Sequence, residues 1–369
     1  MFSVSKSRLR AATAAVVLAA FAAAPAIAAA EASAPSQVGV AQRVIDSASA
    51  YQAYVAKTGA LKADFADGAS VRSALVAGAS YQPDQLQEGE VAYAALLALQ
   101  DAAFVNAVRG YAAFPGAADK LADQLAVNPD AVFDLPAAND TAAKVSAELR
   151  DHGFRILTAG KAVKQSAYDM QHAAWSQAMV SDGPTRLTNI KAMSQARFTA
   201  TADDTARLIN AVTGDASSAP AKRPSAKITK TAARGLAIAA LAVMGKASQD
   251  SSVQLAALLS QPGDGQCLKM AKLNLYQCLA SAGPQYEDVF CLGEHALKDT
   301  GFCVMSAAGE DPVEKLAANE PPAPPVAPGV MIPVASVPAP AVEPAAPASP
   351  LVPVAMASAA GTVGAAPLR

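Results

Sequence analysis

The chain has 369 residues, 52% of them hydrophobic but only 5% aromatic, and a formal charge of −2 at pH 7. Much of the apolar content is alanine, which buries little area but loses almost no side-chain entropy in a helix, so the composition predicts many closely packed helices and no sheet. A mildly acidic chain of this kind excludes nucleic acid as a partner, because that affinity comes from neutralising phosphates with Lys and Arg.

Residues 1–30 read as a secretory signal peptide. Lys6, Arg8 and Arg10 form a basic start, an apolar run follows to Ala24, and Pro25 breaks it. Ala26-Ile27-Ala28 or Ala28-Ala29-Ala30 then supplies the small residues of a cleavage site. The apolar run is shorter than the roughly 20 residues a membrane span needs, so cleavage is expected to leave no transmembrane segment. It removes three positive charges and no negative one, leaving the mature chain at −5. The alanine-rich style and the cleavage motif point to a Gram-negative bacterium, with the periplasm or the cell exterior as destination.

A helical domain is expected over 31–214. Its clearest element runs from Asp140 to Met179, with Asn139 or Asp140 as N-cap. Val145, Leu149, His152, Ile156, Gly160, Val163, Ala167, Met170 and Ala174 recur at steps of three or four, the period of one helix face. His152 lies on that stripe and reads as a hydrogen-bonded core histidine. Tyr168, His172 and Trp175 stand at i, i+4 and i+7 of the same expected helix. They form the candidate surface for a ligand or partner, against a competing reading as ordinary packing of a second helix face. Val91 to Val108 is apolar on nearly every side and predicts one central buried helix.

Residues 215–230, with two prolines and small polar side chains, predict a linker. A second helical region follows over 231–304, in which Leu236 to Met244 reads as a buried helix too short to cross a membrane. All four cysteines fall near its end, at Cys267, Cys278, Cys291 and Cys303. Residues 265–304 predict a helical hairpin, Gln266–Ser281 followed by Pro284 to about Lys298. Gly283 and Pro284 form the turn, Gly301 ends the second helix, and Val289, Gly293, Ala296 and Leu297 face the first. Cys267 and Cys278 are 11 residues apart, about three helical turns, and share a face. Of the three pairings open to four cysteines, an antiparallel hairpin favours the nested one, Cys278–Cys291 by the turn and Cys267–Cys303 at the open end. In geometry such a hairpin is similar to the twin-cysteine helical hairpins of the mitochondrial intermembrane space. The cysteine spacing differs, and no residue role is carried over.

The closely spaced cysteine pairs of zinc sites and the C-x-x-C of redox centres are both missing from the sequence, so structural disulfides are expected, with no metal and no cofactor. Asp299-Thr300-Gly301 matches the tripeptide of aspartic proteases but occurs once, at an expected helix end, and carries no assignment. His295 is expected to be solvated. The last segment, 305–369, is low in complexity. From Pro321 onwards it holds 13 of the 25 prolines and only two charged residues, Glu343 and Arg369. It is expected to be a disordered Pro/Ala-rich tail.

The fold expected is therefore all-α: an Ala-rich helical bundle, a disulfide-stapled C-terminal hairpin and a disordered tail. The function expected is that of an exported, non-enzymatic structural or interaction protein of the cell envelope, meeting an envelope protein partner through the helical domain or the tail. The alternatives are a periplasmic small-molecule-binding or sensor domain, and a cell-wall-active enzyme of a family the sequence does not reveal.

Overall fold

The computed structural model describes residues 39–215, 228–247, 253–260 and 265–310. The expected signal peptide, residues 216–227 of the expected linker and the expected tail beyond residue 310 lie outside the described residues, whereas residues 305–307, expected to open the tail, continue the last helix. The described elements are all helical: α1 (Gln42–Gly59), α2 (Gly68–Ala79), α3 (Pro83–Gln100), α4 (Ala102–Ala112), α5 (Ala117–Val127), a 3-10 turn (Pro129–Asp134), α6 (Ala138–Met170), α7 (Gly183–Gln195), α8 (Ala202–Asp215), α9 (Lys230–Val243), α10 (Val253–Leu259), α11 (Gln266–Ser281), α12 (Gln285–Cys291), a π-helical stretch (Leu292–Lys298) and α13 (Asp299–Ala307). Among the described residues the one strand-like contact is an isolated antiparallel bridge between Met179 and Pro284.

Helix α3 runs through the middle. It packs against α1 on one side and α9 on the other, and α9 is buried along nearly its whole length. Alanine makes this possible. A methyl group on Gly235 of α9 would lie 2.5 Å from the Ala94 side chain of α3, so the two backbones approach more closely than branched residues would allow. Helix α6 forms the second spine. The π-helical stretch and α13 lie along it, with α12 at one end. Helices on both sides of residues 216–227 thus share one core.

The apolar run Val91–Val108 is not one helix. Asp101 breaks it. Its carboxylate accepts from the amides of Ala103 (3.0 Å) and Phe104 (3.4 Å), starting α4 afresh. α3 and α4 meet at 84°, and no single helix among the described residues is long and apolar enough to cross a membrane. Thr141 and Lys144 of α6 hold the same carboxylate at 3.0 and 2.8 Å, so the corner is tied to the second spine. A paired and capping carboxylate is held below its ordinary pKa, although partial burial opposes this.

Helix α6 begins after Ala137, which takes a left-handed φ of 64°, so Asn139 and Asp140 lie inside the first turn instead of capping it. It ends at Met170, nine residues before Met179. There the Ser176 hydroxyl donates to the Met170 carbonyl and terminates the helix.

The C-terminal hairpin matches the expected α11 bounds, but its second arm does not stop at Gly301. It runs unbroken from Gln285 through the π-helical stretch to Ala307. Gly301 is needed there for proximity, not as a cap: a methyl group on it would meet the Leu157 amide nitrogen of α6 at 2.7 Å. The stripe of Val289, Gly293, Ala296 and Leu297 likewise does not all turn towards α11. Gly293 lies on Gly160 and Lys164 of α6, and Ala296 on Gly78 of α2.

Candidate functional site

The two disulfides stand at opposite ends of the hairpin. Cys278–Cys291 lies beside the turn and Cys267–Cys303 at the open end, with Cα–Cα distances of 5.7 and 5.6 Å. Loops of this size are stabilised by roughly 3–4 kcal/mol per bridge in the chain-entropy account. Between the staples lies a polar rung. Asn274 Nδ2 of α11 donates to Asp299 Oδ2 at 3.2 Å, and the same oxygen lies 2.9 Å from His295 Nδ1. His295 is therefore tied into the hairpin while its side chain stays 23% exposed, and Asp299 sits within the continuous helix.

The hairpin is fixed to the rest of the molecule by buried charged groups. Arg186 of α7 reaches Asp288 of α12 at 2.6 Å and also donates to the Leu279 carbonyl at the end of α11. Desolvation pushes the Asp288 carboxyl up to about 6, against the pull of Arg186. Just before α7, the Val180 amide donates to the Gly283 carbonyl (2.8 Å), and the amides of Gln285 and Tyr286 donate to the Ala178 and Ser176 carbonyls.

Lys272 is the most unusual of these groups. It is 4% exposed, on the inner side of α11. Its ammonium donates to the Ala79 carbonyl at the end of α2 and to Ser194 Oγ of α7 at 3.1 Å, and it lies 3.5 Å from the centroid of the Tyr81 ring. Among the described residues these partners are all uncharged, and burial drives its pKa well below the ordinary lysine range. A lysine within reach of a serine raises the question of a nucleophile–base pair. The hydroxyl of Ser194, however, lies 2.7 Å from the Ile190 carbonyl and 3.0 Å from the Ala79 carbonyl, and the residue is 2% exposed. With Lys272 donating to its oxygen and its own proton directed to a carbonyl, Ser194 joins three helices and has no free proton for a base to take.

Tyr81 connects this node to the surface. Its hydroxyl is 2.9 Å from Thr300 Oγ1, its ring meets Tyr54 edge-on at 4.8 Å, and burial raises its pKa. The Tyr54 hydroxyl donates to the Gly78 and Ala296 carbonyls. A shallow groove opens above the two tyrosines, with Lys57, Ser80, Gln85 and Phe198 around it. Gln85 clips the far wall by exchanging two 2.7 Å hydrogen bonds with the backbone of Phe198.

A third polar group lies on α6. His152 is 1% exposed, with Nδ1 3.2 Å from the Tyr51 hydroxyl and Nε2 3.2 Å from Glu148. The rings of Tyr51 and Tyr93 pack against it at 5.6 and 5.1 Å. Glu90 of α3 is equally buried. Desolvation raises its pKa well above the ordinary range, and the positive charge of Arg234 on α9 draws it partly back.

The sequence-derived surface of Tyr168, His172 and Trp175 is not one helical face. Tyr168 is on α6, half exposed and edge-on to Phe290 at 6.1 Å. His172 and Trp175 follow the end of that helix in turns, His172 exposed and Trp175 packed on the core. Lys272, Ser194 and Tyr81 have no sequence motif. The one signal for Lys272 was its place on the apolar side of α11, four residues after Leu268 and three before Leu275. No known protein family, curated protein or solved structure matches this chain.

Proposed function

We propose that the protein is an exported, disulfide-locked helical protein that works by binding a partner in the cell envelope and does not turn over a substrate. One observation carries this reading: the side chains best suited to chemistry serve as ties between helices. Lys272 joins α11 to α2 and α7, Arg186 joins α7 to the hairpin, and His152 joins α6 to α1. Cysteine pairs at disulfide distance suit an oxidising compartment, as does the basic, apolar N-terminus read as an export signal. The test is affinity capture from envelope extract with the mature chain, with and without residues 321–369. A specific protein partner retained by at least one form is the expected result. Recovery of none by either form counts against the reading.

The groove above Tyr54 and Tyr81 favours a second reading, a small-molecule-binding domain, with an aromatic floor and polar rim suited to a small polar ligand. A ligand that raises the melting temperature of the wild type but not of a Gln85→Ala variant would support it.

A further inference from the structure

The two disulfides differ in access. Cys291 is 1% exposed and Cys278 half-buried, so the inner bridge is the more buried of the two. In the outer bridge Cys303 is buried at 6%, while Cys267 is exposed. Cys267 also sits in the first turn of the 16-residue helix α11. That turn carries no acidic residue, and the preceding Gly265, at φ 70°, provides no side-chain cap. Amides at such an end favour a thiolate. Asp84, beside Gly265, is paired with Lys269 at 2.7 Å. Met270 and Leu273, 45% and 44% exposed, continue an apolar strip along α11 from the exposed residue Cys267.

We propose that Cys267–Cys303 is a thiol–disulfide exchange site for a protein dithiol, while Cys278–Cys291 is the permanent staple. This goes beyond the binding role above. A thiolate of the partner attacks Sγ of Cys267. The Cys267–Cys303 bond breaks, and its electron pair leaves on Cys303, which takes a proton from water. The partner's second thiolate then attacks its own sulfur in the mixed disulfide and releases Cys267 as a thiolate. The partner dithiol is oxidised to a disulfide, and the outer bridge is reduced to two thiols. The opened form keeps its shape. Cys278–Cys291 still closes the turn, Gly301 still rests on α6, and Arg150 still holds Glu310 at 3.4 Å. The apolar strip fits a protein surface better than a small hydrophilic thiol.

The test uses the oxidised, mature full-length chain. It is exposed to graded dithiothreitol, quenched by alkylation and mapped by mass spectrometry. Cys267 and Cys303 are expected to be alkylated at reductant concentrations roughly ten-fold or more below those that open Cys278–Cys291. Loss of both bridges together, or of the inner one first, overturns the proposal. A thioredoxin-type protein keeping only its attacking cysteine is expected to form a mixed disulfide on Cys267, and faster than glutathione at equal thiolate concentration. An adduct on Cys303, or no preference over glutathione, also overturns it. In a Cys303→Ser variant the Cys267 thiol is expected to ionise below the ordinary value of about 8.5, read from the pH dependence of its alkylation rate. An ordinary value contradicts the assigned role of the helix end.

Discussion

Gly160 of α6 and Gly293 of the C-terminal arm cross backbone to backbone. A methyl group on Gly160 would lie 2.7 Å from the Lys298 amide nitrogen and 2.9 Å from the Gly293 carbonyl oxygen, and one on Gly293 would lie 2.8 Å from Lys164 Cα. A second crossing of the same kind joins Gly153 and Gly301, where the added methyl groups would meet Met305 N and Gly153 O at 2.8 Å. In each case the obstacle is backbone, which cannot rotate away.

Gly160→Ala and Gly293→Ala are therefore expected to destabilise by about 1–3 kcal/mol each, the usual cost of overpacking, despite alanine's better helix propensity. Gly110→Ala is the control. Gly110 is exposed in α4 with nothing near its missing methyl group, so the same substitution should stabilise by about 0.5–1 kcal/mol. Urea melts of the three oxidised variants check both signs.

The glycine and cysteine positions also explain the π-helical stretch. Along α6 the two glycines are seven residues apart, but along the C-terminal arm they are eight apart. Cys267 and Cys278 are 11 apart, but Cys291 and Cys303 are 12 apart. In a regular α-helix steps of seven and 11 return to within about 20° of the starting face, whereas steps of eight and 12 miss it by about 80° and 120°. Wider π turns absorb one residue and restore both registers at once. Deleting His295 should let the arm become a plain α-helix with glycines seven apart and cysteines 11 apart. The variant is expected to fold, form both nested disulfides and melt within a few degrees of the wild type. Deleting exposed Gln277 from α11 shortens the other side of the same register and is expected to prevent the outer disulfide. Non-reducing peptide maps of the two deletions separate the outcomes.

The same residues show what the sequence could and could not reveal. The limits of α11 were legible because Gly265 and Gly283 bracket an uninterrupted amphipathic run, and the buried character of α9 was legible from its apolar letters. The nested cysteine pairing followed from antiparallel geometry alone. Gly301 was misleading because glycine serves both as a helix terminator and as a site of close approach, and only the presence of α6 distinguishes the two. The end of α6 at Met170 depends on Ser176 turning back to its carbonyl, a contact that no periodicity encodes. The break at Asp101 was hidden in a run that is apolar on average, although an aspartate before a helix is a recognised cap. Lys272 was hidden most deeply, since a lysine on an apolar stripe is normally read as reaching to solvent.

Asp288 makes stability depend on pH in a defined direction. Its folded pKa, about 6, lies above the 3.8 of an ordinary carboxyl, so the native state binds more protons than the unfolded chain between these values. The group's favourable contribution is complete below the ordinary value and is lost as pH rises through 6. For a shift of this size the loss is about 3 kcal/mol. Asp288→Asn keeps an acceptor for Arg186 but cannot titrate. The stability difference, wild type minus variant, is therefore expected to fall by up to that amount between pH 4 and pH 7. Chemical denaturation at the two pH values checks it, and a difference independent of pH contradicts it.

Lys272 acts in the opposite sense and at higher pH. Burial lowers its folded pKa, so from that value up to the ordinary lysine range, about 10.4, the unfolded chain holds a proton that the native state does not. Stability from this group therefore rises with pH across the window, because unfolding takes up a proton that becomes scarcer. Lys272→Met preserves the length of the side chain and its contact with the Tyr81 ring while removing the titration. The Ala79 carbonyl keeps the Ser194 hydroxyl as a donor, so no buried acceptor is left bare. At pH 7 the variant is expected to be as stable as the wild type within about 1 kcal/mol, or more stable, as when a buried charge is replaced by an apolar side chain of similar volume. From pH 7 to pH 10 the wild type is expected to gain stability relative to the variant. Melting curves across that range check the slope. A wild type that gains nothing over Lys272→Met would mean that the ammonium stays charged among α2, α7 and α11, with the Tyr81 ring and its two oxygen acceptors sufficient to hold it.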